Sequence, residues 1–227
     1  MSTDALAEFD NKLLDGLEFC ARTYALFERI RADEDGKSRL RTRVTEVEKK
    51  LLEELLPICK YIQSSYRVGR YISVRWVRGS QQFDAEVLQM GAYVQNGYFP
   101  AASYLEVTCV MHPNDYLMRE LLDKEGAAFG LNGIRRLPDR TIDSKPIACL
   151  NRDFIVEYSK LVLKQLGKKA GIPYPDETTL VVQCTLDRLY FSDEWDEMVS
   201  NVRSNMPANG FREIFMYDLV QERICVL

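Results

Sequence analysis

Tyr71-Ile72-Ser73-Val74-Arg75-Trp76-Val77 is the stretch on which the fold turns, because here the chain leaves helical spacing for strand alternation. β-Branched and aromatic residues fill it, and Arg78-Gly79-Ser80 supplies a turn after it. Phe83 to Met90 reads as a second strand, Gln95-Asn96-Gly97 as a turn, and Ser103 to Met111 as a third strand. Residues 71–111 are therefore expected to form an antiparallel meander.

Upstream of the meander the apolar spacing is helical. Leu6, Phe9, Leu13, Leu17, Cys20, Tyr24, Phe27 and Ile30 recur every three or four residues, which predicts one long amphipathic helix over 4–32. A second helical pattern runs from about Ser38 to Ser65, and Pro57 is expected to kink or split it. Downstream, a helix is expected from Pro113-Asn114-Asp115 to near Gly126, then a long irregular region over 127–151. A further helix is expected to run to about Lys168. Thr178-Thr179-Leu180-Val181-Val182-Gln183-Cys184 has the near-continuous apolar character of a strand buried on both faces. A helix from Asp193 to about Arg203 and strand-like runs at 212–219 and 223–227 complete the chain.

The expected fold is α/β: a mixed central sheet with an αβββαβ-type core, flanked by helices and preceded by an N-terminal helical hairpin. Residues 1–40 read as an N-terminal helical extension and residues 41–227 as a single α/β domain.

Composition narrows the function. The chain has 227 residues, 46% of them apolar, enough for a sizeable core. Its formal charge of −4 gives no bulk positive field towards nucleic acid or anionic membrane. The six cysteines are widely spaced, without a Cys-x-x-Cys pair or companion histidines, which argues against a zinc site or a compact disulfide framework. No apolar run approaches the ~20 residues that span a bilayer, and Met1-Ser2-Thr3-Asp4 does not open a signal peptide. The expected setting is the reducing cytoplasm, with no membrane association. The single histidine, His112, leaves little room for Ser-His-Asp or Cys-His catalysis.

The chemistry-bearing residues lie in the meander. A hairpin symmetric about Gln95 places Asp84 directly opposite Glu106, with Thr108 on the same face as Glu106. Opposed like charges destabilise a sheet unless solvent or a cation offsets them. The pair is then either a set of outward polar residues on a solvated face or a site for Mg²⁺, which favours one or two carboxylates plus water. On a helical wheel at about 100° per residue, Glu48 interrupts the buried stripe of the second helix while Glu53 and Glu54 point away. Glu48 is thus the expected third acid.

An acid-bearing helix, a meander with Asp on its second strand and Glu on its third, then a helix and a buried strand together resemble the PD-(D/E)XK nuclease-like superfamily over roughly residues 44–184. The resemblance implies that Asp84, Glu106 and Glu48 are the metal-binding and catalytic acids of a Mg²⁺-dependent nuclease acting on DNA or RNA. The motif lysine is replaced by Thr108, left as an auxiliary polar group. A lysine supplied from a neighbouring element would be Lys160, Lys164 or Lys168, with Arg119 as the arginine candidate. The alternative is an inactive scaffold serving as a protein-interaction, regulatory or nucleic-acid-binding module.

Two surfaces suggest partners. Arg67, Arg70, Arg75 and Arg78, interleaved with Tyr66, Tyr71 and Trp76, form a cluster suited to phosphates and bases. The stripe over residues 4–32 is suited to a helical partner or a homodimer.

Overall fold

The computed structural model describes residues 4–148, 150–185, 191–220 and 222–227, apart from the Ser192 side chain. Cys149 thus lies outside the described residues. The meander forms as expected. Strands β2 (Tyr71–Trp76), β3 (Ala85–Met90) and β4 (Ala102–Val110) pair antiparallel in sequence order. In β2 the alternation is direct: Ile72, Val74 and Trp76 are buried, while Tyr71, Ser73 and Arg75 face outward.

β4 then pairs in parallel with the wholly buried β7 (Thr178–Cys184), and β7 pairs in parallel with β8 (Glu213–Asp218). β1 (Leu13–Asp15) joins the free edge of β2, and β9 (Ile224–Val226) joins β8, giving a seven-stranded mixed sheet in the order β1-β2-β3-β4-β7-β8-β9. A separate two-stranded sheet, β5 (Ile134–Arg136) with β6 (Ile142–Ser144), occupies the region expected to be irregular.

Two helical layers cover the sheet. On one face, α1 (Gly16–Ala32) packs against α4 (Leu56–Ser65) in a core with Leu51, Leu55, Ile72, Trp76, Leu105 and Val107. On the other, α7 (Asn151–Ala170) and α8 (Ser192–Ser204) enclose Val110, Leu180, Val182 and Met216.

The N-terminus departs from the expected long helix. Residues 5–11 form a turn that buries Leu6 and Phe9, β1 comes next, and only then does α1 begin. Asn11 takes a left-handed φ of 54°, and the Asp15 carboxylate accepts the Leu17 N–H at 2.9 Å, so the helix starts at a cap inside the apolar stripe. Gly16 sits where a Cβ would lie 2.8 Å from the Ile72 carbonyl oxygen, which lets the start of α1 press onto β2. The first forty residues thereby add both a strand and core side chains to the sheet.

The second helical pattern is divided. α2 (Gly36–Thr42) ends at Arg43, which is left-handed at φ 52°, and α3 (Glu46–Lys50) begins afresh. Residues Leu51–Leu55 form a π-helical turn that runs straight into α4. Pro57 explains the widening: it has no N–H to offer the Glu53 carbonyl, and the Leu56 N–H reaches back five residues to Leu51.

Candidate active site

The register inferred from the hairpin is the one observed. Ala85 pairs with Leu105 and Glu86 with Tyr104, which brings Asp84, the next residue, opposite Glu106. The Asp84 N–H donates to the Leu105 carbonyl at 2.8 Å, and the Val107 N–H donates to Asp84 Oδ2 at 2.7 Å. The Asp84 side chain thus takes over from β3 as partner of β4. Beyond this point the β4 edge lies between the π-helical turn and α7: the Cys109 thiol contacts the Glu53 carbonyl at 3.7 Å, and Gln165 Nε2 reaches the Cys109 carbonyl at 3.5 Å. Past Asp84 the edge of β4 has no further pairing with β3 and lies between these two helical elements, with Asp84 and Glu106 where the pairing ends.

The helix acid whose charge bears on Asp84 is Glu54. Burial first, then the negative charges of Glu54 and Glu106, push the Asp84 carboxyl up to about 7, against the lowering effects of the Val107 N–H and Lys50. Glu54 is held by Lys50 at 2.5 Å and by the Trp76 indole N–H at 3.1 Å. An ideal wheel turns Glu54 away, but a π turn carries one extra residue and rotates the residues beyond it by up to about 100°. The wheel failed at the residue where the helix is not α.

Glu48, expected as that acid, is fully buried in a different setting. It accepts hydrogen bonds from Arg39 Nε at 2.8 Å and from the Thr45 hydroxyl, pinning α2 to α3. Burial would raise its carboxyl, but the Thr45 and Arg39 contacts outweigh that and hold it below its ordinary value. Glu53 turns to Arg43 at 2.9 Å and the Tyr116 hydroxyl at 3.2 Å.

Thr108 lies buried on the α7 side of β4 and brings no charge. The cation beside Glu106 is Lys169, whose Nζ lies 2.5 Å from Glu106 Oε1. The helix was expected to stop at Lys168, but α7 continues through Ala170, which keeps Lys169 helical. The readable signal was the stripe itself: Ile155, Tyr158, Val162 and Leu166 continue at the same spacing to position 169. Of the other candidates, Arg119 pairs with Asp115 at 2.5 Å, Lys164 and Lys168 line a neighbouring cavity, and Lys160 is exposed. Tyr174, also missed, hydrogen-bonds Glu106. Burial and the Glu106 charge raise its phenol, and its ring packs on Phe211 at 5.1 Å.

No family model matches the chain, and no curated protein or solved structure does either.

Asp84 and Glu106 are donors of the type a hard divalent cation takes. Among the described residues no three His, Cys, Asp or Glu side chains already converge as a ligand set. Mg²⁺ needs only one or two carboxylates and keeps its waters. Asp84 and Glu106 supply two, and the negative charges of Glu54 and Glu106, which add to burial in raising Asp84, are a potential that a cation would relieve.

The two partner surfaces are otherwise engaged. Arg70 is buried, donating to Gln89 at 2.8 Å and Tyr61 at 3.2 Å with its guanidinium 3.6 Å over the Phe99 ring. Arg75 pairs with Glu86 at 3.0 Å, and Arg78 with Asp4 and Glu46, both at 2.6 Å. Arg67 is exposed and contacts the Ser65 carbonyl at 3.3 Å. Three of the four arginines are therefore committed to partners inside the fold. Of the stripe over 4–32, Leu6, Phe9, Cys20 and Ile30 are buried in the protein's own core and Phe27 packs against it, leaving Leu13, Leu17 and Tyr24 exposed. Among the described residues no helix is long and apolar enough to cross a membrane.

Proposed function

We propose that the protein is a Mg²⁺-dependent nuclease that hydrolyses phosphodiester bonds of DNA or RNA, with Asp84 and Glu106 as metal ligands. The observation that supports this reading is a cluster in which Asp84 lies opposite Glu106, feels the charge of Glu54, and has the Lys169 ammonium seated on its neighbour Glu106. Mg²⁺ bound there would supply Lewis acidity to a phosphoryl oxygen and ease deprotonation of a coordinated water.

The protein's own groups account for the rest. Lys169, which reaches Glu106 from α7, would take the part of the missing motif lysine. Released from Glu106, its ammonium would stabilise charge developing on the phosphate. Glu54, fixed by Lys50 and Trp76, is placed to orient water. Tyr174, whose phenol is raised by burial and by Glu106 beside it, would limit the rotation of that carboxylate. Substituting Asp84→Ala or Glu106→Ala is expected to abolish metal-dependent cleavage of labelled DNA and RNA while the fold persists. Absence of cleavage by the wild type across both nucleic acids with Mg²⁺ and Mn²⁺ would overturn the reading.

A second reading is favoured by a specific feature: Lys169 and Lys50 already neutralise two of the three acids. A cluster balanced in this way suits an inactive nuclease-like scaffold that acts by binding. In that case divalent metal leaves the melting temperature unchanged. The free thiols of Cys20, Cys59, Cys109, Cys184 and Cys225 support a reducing, cytoplasmic setting under either reading.

A further inference from the structure

Further along β4 from the carboxylates lies a cavity of about 270 Å³ whose lining includes Met111, Tyr116, Lys164, Gln165 and Lys168. Lys164 and Lys168 stand one turn apart on α7, at its mouth, and among the described residues neither has an acid within ion-pair distance. Behind the wall lie two more cations. Arg119 contacts Met111 Sδ at 3.4 Å and lies 5.3 Å from the centre of the Tyr116 ring. Arg43 approaches through Glu53, which also binds the Tyr116 hydroxyl.

Glu53 and Asp115 offset one arginine each, and Glu157 lies 3.6 Å from His112 at the rim. The two lysines therefore remain as excess positive charge. Arg43 Nε and Arg119 Nη1 are buried donors with no hydrogen-bond partner among the described residues; neither arginine lines the cavity, so they add positive potential behind its wall and not direct contacts. Orphaned donors of this kind are uncommon in folded proteins. An acceptor-rich anion is the ligand chemistry that a pocket with this charge balance favours.

We propose that this cavity is a phosphate subsite, gripped by Lys164 and Lys168, that holds a second phosphate of the nucleic-acid strand whose scissile diester lies at Asp84 and Glu106. The proposal rests on the nuclease reading. Cys109, which lines the cavity, is three residues from Glu106 along β4, about 10 Å at strand rise, so both places are within reach of one short stretch of backbone. Phosphate contacts by lysine position a strand without reading its sequence, so binding is expected to be salt-dependent and sequence-tolerant.

The test measures fluorescence-anisotropy binding of a labelled single-stranded oligonucleotide, with Ca²⁺ replacing Mg²⁺, for the wild type and two double variants. Lys164→Ala with Lys168→Ala is expected to weaken binding about tenfold and flatten the salt dependence by about one unit of slope. Lys164→Arg with Lys168→Arg is expected to bind like the wild type. Running the 5′-phosphorylated and 5′-hydroxyl forms separates the sources: equal loss for both assigns a backbone diester, and loss confined to the phosphorylated form assigns a terminal phosphate. Unchanged affinity and slope in the alanine variant, with cleavage intact, overturns the subsite and leaves the nuclease reading standing. Inorganic phosphate provides a second readout, raising the melting temperature of the wild type but not of the alanine variant. If that difference appears while no nucleic acid is cleaved, the subsite is supported and the nuclease reading fails.

Discussion

Lys169 Nζ lies 2.5 Å from Glu106 Oε1 although 63 residues separate the two in sequence. Parallel pairing of β4 with β7 fixes this relationship, because the connection between them has to return through α7, whose last turn ends over the middle of β4. Removing the ammonium leaves a largely buried carboxylate uncompensated. Lys169→Ala is expected to destabilise the metal-free protein by about 1–3 kcal/mol, less than the full cost of breaking a buried pair because the lysine is part-exposed. Mg²⁺ should restore much of that loss, and cleavage should fall by about 10²–10³-fold. Thermal unfolding with and without Mg²⁺, alongside rate measurements, checks each part.

Asp84 gives the protein a pH dependence of definite sign. Its folded-state carboxyl titrates at about 7 and an unfolded one near about 3.9, so between those values the folded protein keeps a proton that the unfolded chain has lost. The stabilisation is complete below the unfolded value and disappears as pH rises through the folded one. Asp84→Asn stays neutral throughout. Without divalent metal it is expected to be more stable than the wild type at pH 8 by about 1–2 kcal/mol, the full shift being discounted for partial exposure. The difference should vanish below pH about 4. Denaturant titrations at the two pH values measure it.

The two helix acids separate structure from chemistry. Glu48→Gln is expected to cost about 1 kcal/mol by weakening its bonds to Arg39, which keeps Asp33 at 3.0 Å, with little effect on the response to Mg²⁺. Its contribution runs opposite to that of Asp84. The carboxyl is depressed in the folded state, so its stabilisation is present above the ordinary glutamate range and lost as pH falls through the folded value. Glu54→Gln is expected to leave the fold intact, bring the Asp84 carboxyl down and reduce cleavage. A metal-induced melting shift lost in Glu48→Gln, with cleavage unchanged in Glu54→Gln, would reverse these assignments.

Cys109 provides a check on the β4 edge that is independent of activity. Burial, then the charge of Glu53, pushes its thiol up to about 12, so it is expected to resist alkylation at pH 8 in the folded protein. Mass spectrometry after iodoacetamide treatment should show Cys109 labelled only on unfolding.

Legibility in the sequence tracked the range of the interaction. Alternation in 71–77 and the Gln95 turn specified the meander and the Asp84–Glu106 register, because strand pairing across a short connection is local. Apolar continuity in 178–184 likewise specified β7 as an interior strand. Glu54 was hidden because a wheel assumes a uniform α-helix, and the consequence of Pro57 was a π turn instead of a kink. Lys169 was hidden because a lysine in a charged run reads as solvated until the helix is known to end past it. The arginine cluster misled in the reverse direction. Residues adjacent in sequence sent their guanidiniums to Gln89, Glu86, Asp4 and Glu46, partners that only the folded chain brings near.

The anomalous scattering of crystals soaked in millimolar Mn²⁺ tests the central claim most directly. The expected result is one ion within bonding distance of the Asp84 and Glu106 carboxylates, about 2.0–2.3 Å, with Lys169 Nζ displaced from Glu106. Crystals showing no ion there, and Lys169 still seated on Glu106, would contradict it.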